Sequence, residues 1–329
     1  MNNKKKIYFI TGGTGSFSKK FIKNLIKKNS AKKIIIYSRD EYKQFLFQQE
    51  SIVKKNLSMF RFLIGDIRDK ERLNFSINED IDCVVHTAAL KQVPATEYNP
   101  FEAIKTNIIG AQNLIEVCIQ KNIDKIIALS TDKAAAPINL YGATKLTSDK
   151  LFTNANYFKG KTRCKFSVVR YGNVMGSRGS VIPLFLNQKK EKKTFTITDK
   201  NMTRFNITLD ESVKFVNMCI SKMKGGEIFV PKIPSYRILD LLNAIKKNPK
   251  YKVIGIRPGE KLHEEMITES DSMNSEEFKN YYVIHPSFRK YNNKIKKTFS
   301  YNSLKNNKFL KVQEIKRLIE KNLNELNND

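Results

Sequence analysis

Ile7-Tyr8-Phe9-Ile10-Thr11-Gly12-Gly13-Thr14-Gly15-Ser16-Phe17-Ser18 decides how this chain folds. A short apolar run passes into a cluster of glycines, and a helical pattern opens over Lys19–Lys27. Glycines at this point let the backbone turn sharply and approach a pyrophosphate, whose charge then rests at a helix N-terminus. An ordinary strand-to-helix turn is the plainer alternative. Ser18 holds the third glycine position of the loop, where helix and strand must pack closely and a hydroxymethyl group is expected to be tolerated.

Outward from that loop, short apolar runs alternate with helical patterns. Strands are expected at Ile7–Thr11, Lys33–Ser38, Phe60–Ile64, Cys83–Thr87, Lys125–Ser130 and Phe166–Tyr171. Behind Pro100, Phe101–Gln120 sets Ile104, Ile108, Ala111, Ile115 and Cys118 at three- and four-residue spacing, as one helix face requires. This alternation predicts an α/β fold, a Rossmann-type doubly wound parallel sheet with a smaller C-terminal substrate-binding lobe. After Tyr171 the rhythm loosens, with Gly172, Gly176 and Gly179 marking loops. A helix at Asp210–Met223 and a strand at Glu227–Val230 follow. The expected division is a dinucleotide-binding domain at 1–180, joined by segments near 205–235, a lobe at 181–285 and a basic, peripheral, partly mobile tail at 286–329.

The chain has 329 residues and is 40% hydrophobic, enough apolar material for a large core. No run of about 18 apolar residues is present. The basic start at Lys4–Lys6 leads only into Ile7–Ile10, too short for a secretory core, so a cytoplasmic location is expected. Cys83, Cys118, Cys164 and Cys219 are scattered and read as buried thiols. His86, His263 and His285 lack metal-ligand spacing, so no metal is expected. The net charge of +28 asks for a polyanionic partner. Only 12 of the 60 basic residues are Arg, however, and the Lys is spread along the whole chain. Blocks such as Lys189–Lys193 and Lys294–Lys297 read as solvated faces, and no specific nucleic-acid partner is expected.

The second strand ends in Ser38-Arg39-Asp40-Glu41-Tyr42-Lys43. A ribose 2′-hydroxyl usually meets a carboxylate here, whereas a 2′-phosphate needs cations and hydroxyl donors. Ser38, Arg39 and Lys43 favour NADP, and Asp40 keeps NAD open. Asp66, at the end of the third strand, either accepts from an adenine amino group or caps the following helix. Further along, Tyr141 and Lys145 stand at i and i+4 on one helix face, ten residues past Thr131. An ammonium near a phenol favours phenolate, a base able to deprotonate a sugar hydroxyl. Asp132 and Lys133 add an acid and a second base, the pair that elimination of water demands, unless they are only a helix cap and a surface charge.

The chain resembles the extended short-chain dehydrogenase/reductases. More narrowly, it resembles the soluble inverting UDP-N-acetylglucosamine 4,6-dehydratases that begin pseudaminic acid synthesis. The matching segments include TGGTGSF from Thr11, YSRDE from Tyr37, GDIRD from Gly65, AALKQVP from Ala88 and EYNPFEAIKTNIIGA from Glu97. ALSTDKAAAPINLYGATK from Ala128, VVRYGNVMGSRGSVIP from Val168, MTRF from Met202 and IGIRPGEKLHEEMI from Ile254 continue the match. Gln92 stands where close relatives often have His, and Asn206 where they often have Trp.

The resemblance implies a tightly bound, recycled NADP held by Gly12, Thr14, Gly15, Ser16 and Phe17, with Ser38, Arg39, Asp40, Glu41, Lys43, Asp66 and Ile67 around its adenosine part. Ala88, Ala89, Lys91, Tyr141, Lys145 and Val174 complete the implied cofactor set. It implies a UDP-N-acetylglucosamine site of Lys91, Thr131, Asn173, Val181, Arg204, Arg257 and Glu260. Tyr141, with Lys145 and Thr131, would oxidise C4; Lys133 would take the C5 proton; and Asp132 would protonate the departing C6 hydroxyl. It also implies a homo-oligomer, plausibly a hexamer, and a downstream aminotransferase that takes the product. A C5-retaining dehydratase, a 4-epimerase on the same cofactor, and a noncatalytic NADP-binding regulator are the rival readings. Lys133 as a base must be neutral and Asp132 protonated when each acts.

Overall fold

The computed structural model describes residues 5–176, 181–286 and 297–327. Gly179 and Lys294–Lys296 therefore lie outside the described residues. In chain order the strands are β1 (Lys6–Thr11), β2 (Ala31–Ser38), β3 (Phe60–Ile64), β4 (Cys83–His86), β5 (Lys125–Thr131), β6 (Lys165–Tyr171), β7 (Asn173–Val174) and β8 (Phe195–Ile197). They continue with β9 (Thr203–Ile207), β10 (Ile228–Pro231), β11 (Ser235–Arg237), β12 (Tyr251–Val253), β13 (Glu265–Ile267), β14 (Ser275–Glu277), β15 (Tyr281–Ile284) and β16 (Tyr301–Asn302).

A nine-stranded sheet in the order β14-β15-β10-β6-β5-β4-β1-β2-β3 forms the body. From β10 to β3 all neighbours are parallel; β14 and β15 add on antiparallel. Near-continuous apolar strands such as Ile34–Tyr37 are fully covered, as a sheet with helices on both faces requires. The chain runs outward from β1 to β2 and β3, then returns to place β4 on the other side of β1. That reversal opens a crevice at the carboxyl ends of β1 and β4, where ligands of open α/β sheets bind. β14 and β15 arise from the region read as lobe, so the sheet draws on a longer stretch of chain than 205–235.

The helix expected at Phe101–Gln120 is three segments in a row, Pro100–Ile104, a π-turn at Lys105–Ile109 and Gly110–Gln120. The widened turn seats Asn107 inside, where its amide holds the backbone of Leu90 (2.8 and 2.9 Å) and Thr144 Oγ1 (3.0 Å). The loop past the fourth strand is thereby tied to the Leu140–Phe158 helix.

A second core lies in the lobe, around Phe185, Phe195, Leu241 and Leu242. Here the reading of 286–329 as a peripheral tail needs correction for its described part. Tyr301 sits in β16 against β13, and Ile315, of the Val312–Asn327 helix, is wholly buried in the lobe core. The cause is an apolar stripe, Val312, Ile315, Leu318 and Ile319, inside a Lys- and Asn-rich stretch.

Candidate active site

At the crevice, Gly12 adopts φ +63°, and a Cβ there would lie 2.8 Å from Thr87 Oγ1 and 2.9 Å from the Ala88 nitrogen. Only glycine permits that backbone approach. Ser18 shows how the last loop position is filled: its hydroxyl is 2.8 Å from Thr87 Oγ1, which donates to the Thr11 carbonyl at 2.7 Å. The Ser16–Lys27 helix begins at Gly15 with no side-chain cap and no acidic residue in its first turn. Its first N–H groups are thus left for an anion.

A cavity of about 640 Å³ extends from this loop along the sheet edge. It is lined by Gly12, Thr14, Gly15, Ser16, Phe17, Ser38, Arg39, Asp40, Lys43, Asp66, Ile67, Ala88, Ala89 and Lys91. The same cavity reaches Thr131, Lys133, Tyr141, Lys145, Asn173 and Val174. Glu41, Val181, Arg204, Arg257 and Glu260 do not line it. Arg204 and Glu260 nonetheless pair with each other at 3.3 Å, and the Glu260 carboxylate accepts from the Arg257 nitrogen at 3.4 Å. Gln92 also reaches the cavity, whereas Asn206 is buried in β9.

At the adenosine end, Asp40 caps the Glu41–Gln49 helix by accepting from the Lys43 nitrogen (2.9 Å) and also pairs with the Lys43 ammonium. Those contacts hold its carboxyl below the usual range. Asp66 does not cap the next helix; Asp69 does. Asp66 binds Arg68 at 2.7 Å and lies 3.5 Å from Arg39. Burial favours its neutral form, but these guanidinium groups outweigh it and leave the carboxyl low.

At the other end, Gly142 sets the geometry. A Cβ on it would fall 2.2 Å from the Lys133 carbonyl oxygen, so glycine alone lets the Leu140–Phe158 helix press on the Asp132–Ala134 turn. Asn139 caps that helix through the Gly142 nitrogen at 2.7 Å. Tyr141 is thereby brought beside Thr131, which hydrogen-bonds its phenol. Burial pushes the phenol up to about 12, and the cation that opposes this is Lys133. Lys145, expected to favour phenolate, is 3% exposed and has its own pKa lowered by burial, partly offset by Asp149. Asp149 in turn binds Ser130 Oγ (2.8 Å) and the buried Arg170 (3.3 Å).

Asp132 is 1% exposed and sits behind the cavity wall. Its Oδ1 accepts from Thr131 (2.9 Å) and Lys133 (3.1 Å), while Oδ2 is buried without a partner. Burial raises its pKa against the pull of Lys133, which suits a proton donor. Lys133 differs from expectation. Burial favours its neutral form, but Asp132 and a residue not foreseen from the sequence, Glu264 at 3.0 Å, outweigh that and hold it as an ammonium. The cap-and-surface alternative fails for this pair: Asp132 is interior and Lys133 faces the cavity.

Other expectations resolve simply. His86 is buried, held by Thr11 Oγ1 at 2.8 Å, and pushed down to about 3 by burial, so it is a neutral core group. Thr87 and Thr106 line the cavity without having been singled out; Thr87 follows from its place past β4, but Thr106 depends on the π-turn. Among the described residues there is no cluster of three or more potential metal ligands. None of their helices is long and apolar enough to cross a membrane.

The sheet with its switch-point glycine loop and a Tyr-x-x-x-Lys pair defines an extended short-chain dehydrogenase/reductase-like enzyme. The chain belongs to the family described as "Polysaccharide biosynthesis protein", which matches residues 8–286. It is 55% identical over 290 residues to the UDP-N-acetylglucosamine 4,6-dehydratase (inverting) of Campylobacter jejuni subsp. jejuni serotype O:2, covering 88% of this chain and 85% of that one. A protein of the same description from serotype O:23/36 is 50% identical, covering 97% of this chain and 98% of its own length. Among solved structures, Pen from Bacillus thuringiensis superposes with a TM-score of 0.89 at 40% identity, covering 98% of this chain and all of that one.

Proposed function

We propose that the protein is an NADP-dependent UDP-N-acetylglucosamine 4,6-dehydratase, a hydro-lyase that inverts C5 and supplies pseudaminic acid synthesis. The observation that carries this reading is the interior Asp132 beside the cavity-facing Lys133, next to Tyr141. A 4-epimerase expels no water and has no use for such a pair. The cofactor fits the chain's own groups: the Gly12 cradle, the uncapped helix start, and Thr106 Oγ1, which is buried without a partner in a cavity-lining residue. NADP held there would supply the hydride acceptor for C4 and the hydride donor for C6. Asp40 is already committed to Lys43 and its own helix, which favours a 2′-phosphate on Ser38, Arg39 and Lys43 over a free ribose hydroxyl.

Tyr141 takes the proton of the C4 hydroxyl, assisted by Thr131 and the cationic field of Lys133, with Lys145 one helical turn further on. The 4-keto group acidifies C5, and Lys133 removes that proton. Asp132 donates its proton to the departing C6 hydroxyl, releasing water. After hydride return to C6, a solvent-derived proton delivered to the opposite face of C5 completes the inverted product. Because its carboxylate neighbours favour the ammonium, Lys133 must shed a proton before C5 is attacked. Activity should therefore rise with pH on its acid side, with Asp132 and Lys133 titrating as one unit. Lys91 lies near the sugar and the nicotinamide ribose, Asn173, Arg204, Arg257 and Glu260 surround the nucleotide part, and Val181 completes the substrate set.

Exposed Phe101, Ile109, Tyr157 and Phe158 on neighbouring helices support a homo-oligomer. The enzyme works in the cytoplasm, has no specific nucleic-acid partner, and hands its keto sugar to an aminotransferase. Incubation with UDP-N-acetylglucosamine and NADP+ should give a product lighter by one water. An unchanged mass with a C4 epimer, or no turnover, would sink the reading.

A further inference from the structure

Glu264 carries a buried charge that the reaction scheme does not yet use. It lies 2% exposed just before β13, and its Oε1 accepts from Lys133 Nζ at 3.0 Å and faces Arg204 Nε at 3.7 Å. The Ser303 hydroxyl accepts from its backbone nitrogen at 2.9 Å, so the connection into β16 helps to fix it. Its Oε2 and Asp132 Oδ2 are both buried with no hydrogen-bond partner. One ammonium thus stands between two interior carboxylates, Asp132 at 3.1 Å and Glu264 at 3.0 Å. Two buried carboxylates sharing one cation cannot both stay ionised cheaply.

Resting on the dehydratase reading, we propose that Glu264 is a positioning residue for the elimination of water: acting through Lys133, it clamps the ammonium against Asp132 and fixes which protons the pair carries. The groups that face this cluster are Tyr141 from the Leu140–Phe158 helix, Arg204 from β9, Tyr236 from β11 and Lys261 from the loop before β13. The cationic Lys133, Arg204 and Lys261 overcome burial and keep Glu264 ionised. Its negative charge then raises the proton affinity of both Asp132 and Lys133. Asp132 waits as the acid because Glu264 holds the negative charge.

The sign of the test follows. Replacing the carboxylate by an amide removes a charge that raises both partners, so both limbs of the pH–rate profile must move to lower pH. An opposite charge at hydrogen-bond range typically shifts a partner by about one to three units. For Glu264→Gln the profile of product formation from UDP-N-acetylglucosamine should be displaced to acid by at least about one unit, with the maximum kcat reduced because the clamp is lost and KM changed less than kcat. Reduced-nicotinamide absorbance in a single turnover should still report C4 oxidation, since the Glu264 carboxylate pairs with Lys133 and Arg204. Glu264→Asp retains the charge and should keep the wild-type profile position. Superimposable wild-type and Glu264→Gln profiles would overturn the proposal, as would an equal loss of C4 oxidation and water loss. If Glu264→Gln does not fold, a Glu264→Asp profile displaced to acid like a charge loss overturns it, and an undisplaced one supports it. Absence of a dehydrated product from the wild type would overturn the dehydratase reading instead.

Discussion

Lys133 and Lys145 share one cavity and carry the same side chain, yet their surroundings push them in opposite directions. Lys145 is enclosed by the sheet and its own helix, and the nearest carboxylate, Asp149, is already taken by Ser130 and Arg170. Burial therefore dominates and lowers its proton affinity. Lys133 meets two carboxylates that have few other partners, and pairing outweighs burial. Charge state in this site is set by what remains unpartnered around an amine, and depth alone does not decide it. In the proposed chemistry Lys145 serves oxidation at C4, and Lys133, whose charge also eases ionisation of Tyr141, serves loss of water.

The comparison breaks most visibly at the two lysines. Lys133→Ala should cut formation of the dehydrated product by about a thousandfold, the scale of a lost general acid–base group, while NADP stays bound. Lys145→Ala should stop the earlier step, so no reduced nicotinamide accumulates; equal single-turnover traces for the two variants would erase the distinction. Gly142→Ala tests the contact that joins both sides. Its Cβ would fall 2.2 Å from the Lys133 carbonyl, so a loss of about 1–3 kcal/mol in denaturant unfolding is expected, with activity falling alongside. Arg39→Ala leaves both lysines untouched and should weaken NADP by about tenfold, as loss of one charged hydrogen bond does, with little effect on NAD. Equal weakening of both cofactors would contradict the 2′-phosphate assignment. Ser18→Gly, which removes the bond to Thr87 and puts glycine in the first turn of the Ser16–Lys27 helix, should cost about 1–2 kcal/mol of stability and leave turnover near normal.

Much of this arrangement was legible in the sequence because it is local. The glycine loop, the β2 end and the i, i+4 Tyr–Lys pair are fixed by short-range spacing, and the cavity brings them together. The Asp132–Lys133 pair was visible, but its charge state was not. Glu264 comes to Lys133 from a distant part of the chain, and nothing in the spacing of HEEM marks one of its two glutamates as interior. The π-turn at Lys105–Ile109 escaped for a related reason: Asn107 and its partners across the loop accompany it, while the one-face periodicity of Ile104 to Cys118 looks the same with or without it. In the last segment the composition of Lys and Asn obscured a four-residue apolar stripe that docks the Val312–Asn327 helix.

The most direct measurement is proton NMR of the product formed from UDP-N-acetylglucosamine in deuterated water. Tyr141, Asp132 and Lys133 acting as proposed give a 4-keto-6-deoxy sugar with deuterium at C5 and the C5 configuration inverted. A deuterated product of retained configuration would contradict the inverting assignment. A C4 epimer with its C5 proton intact would contradict the elimination itself.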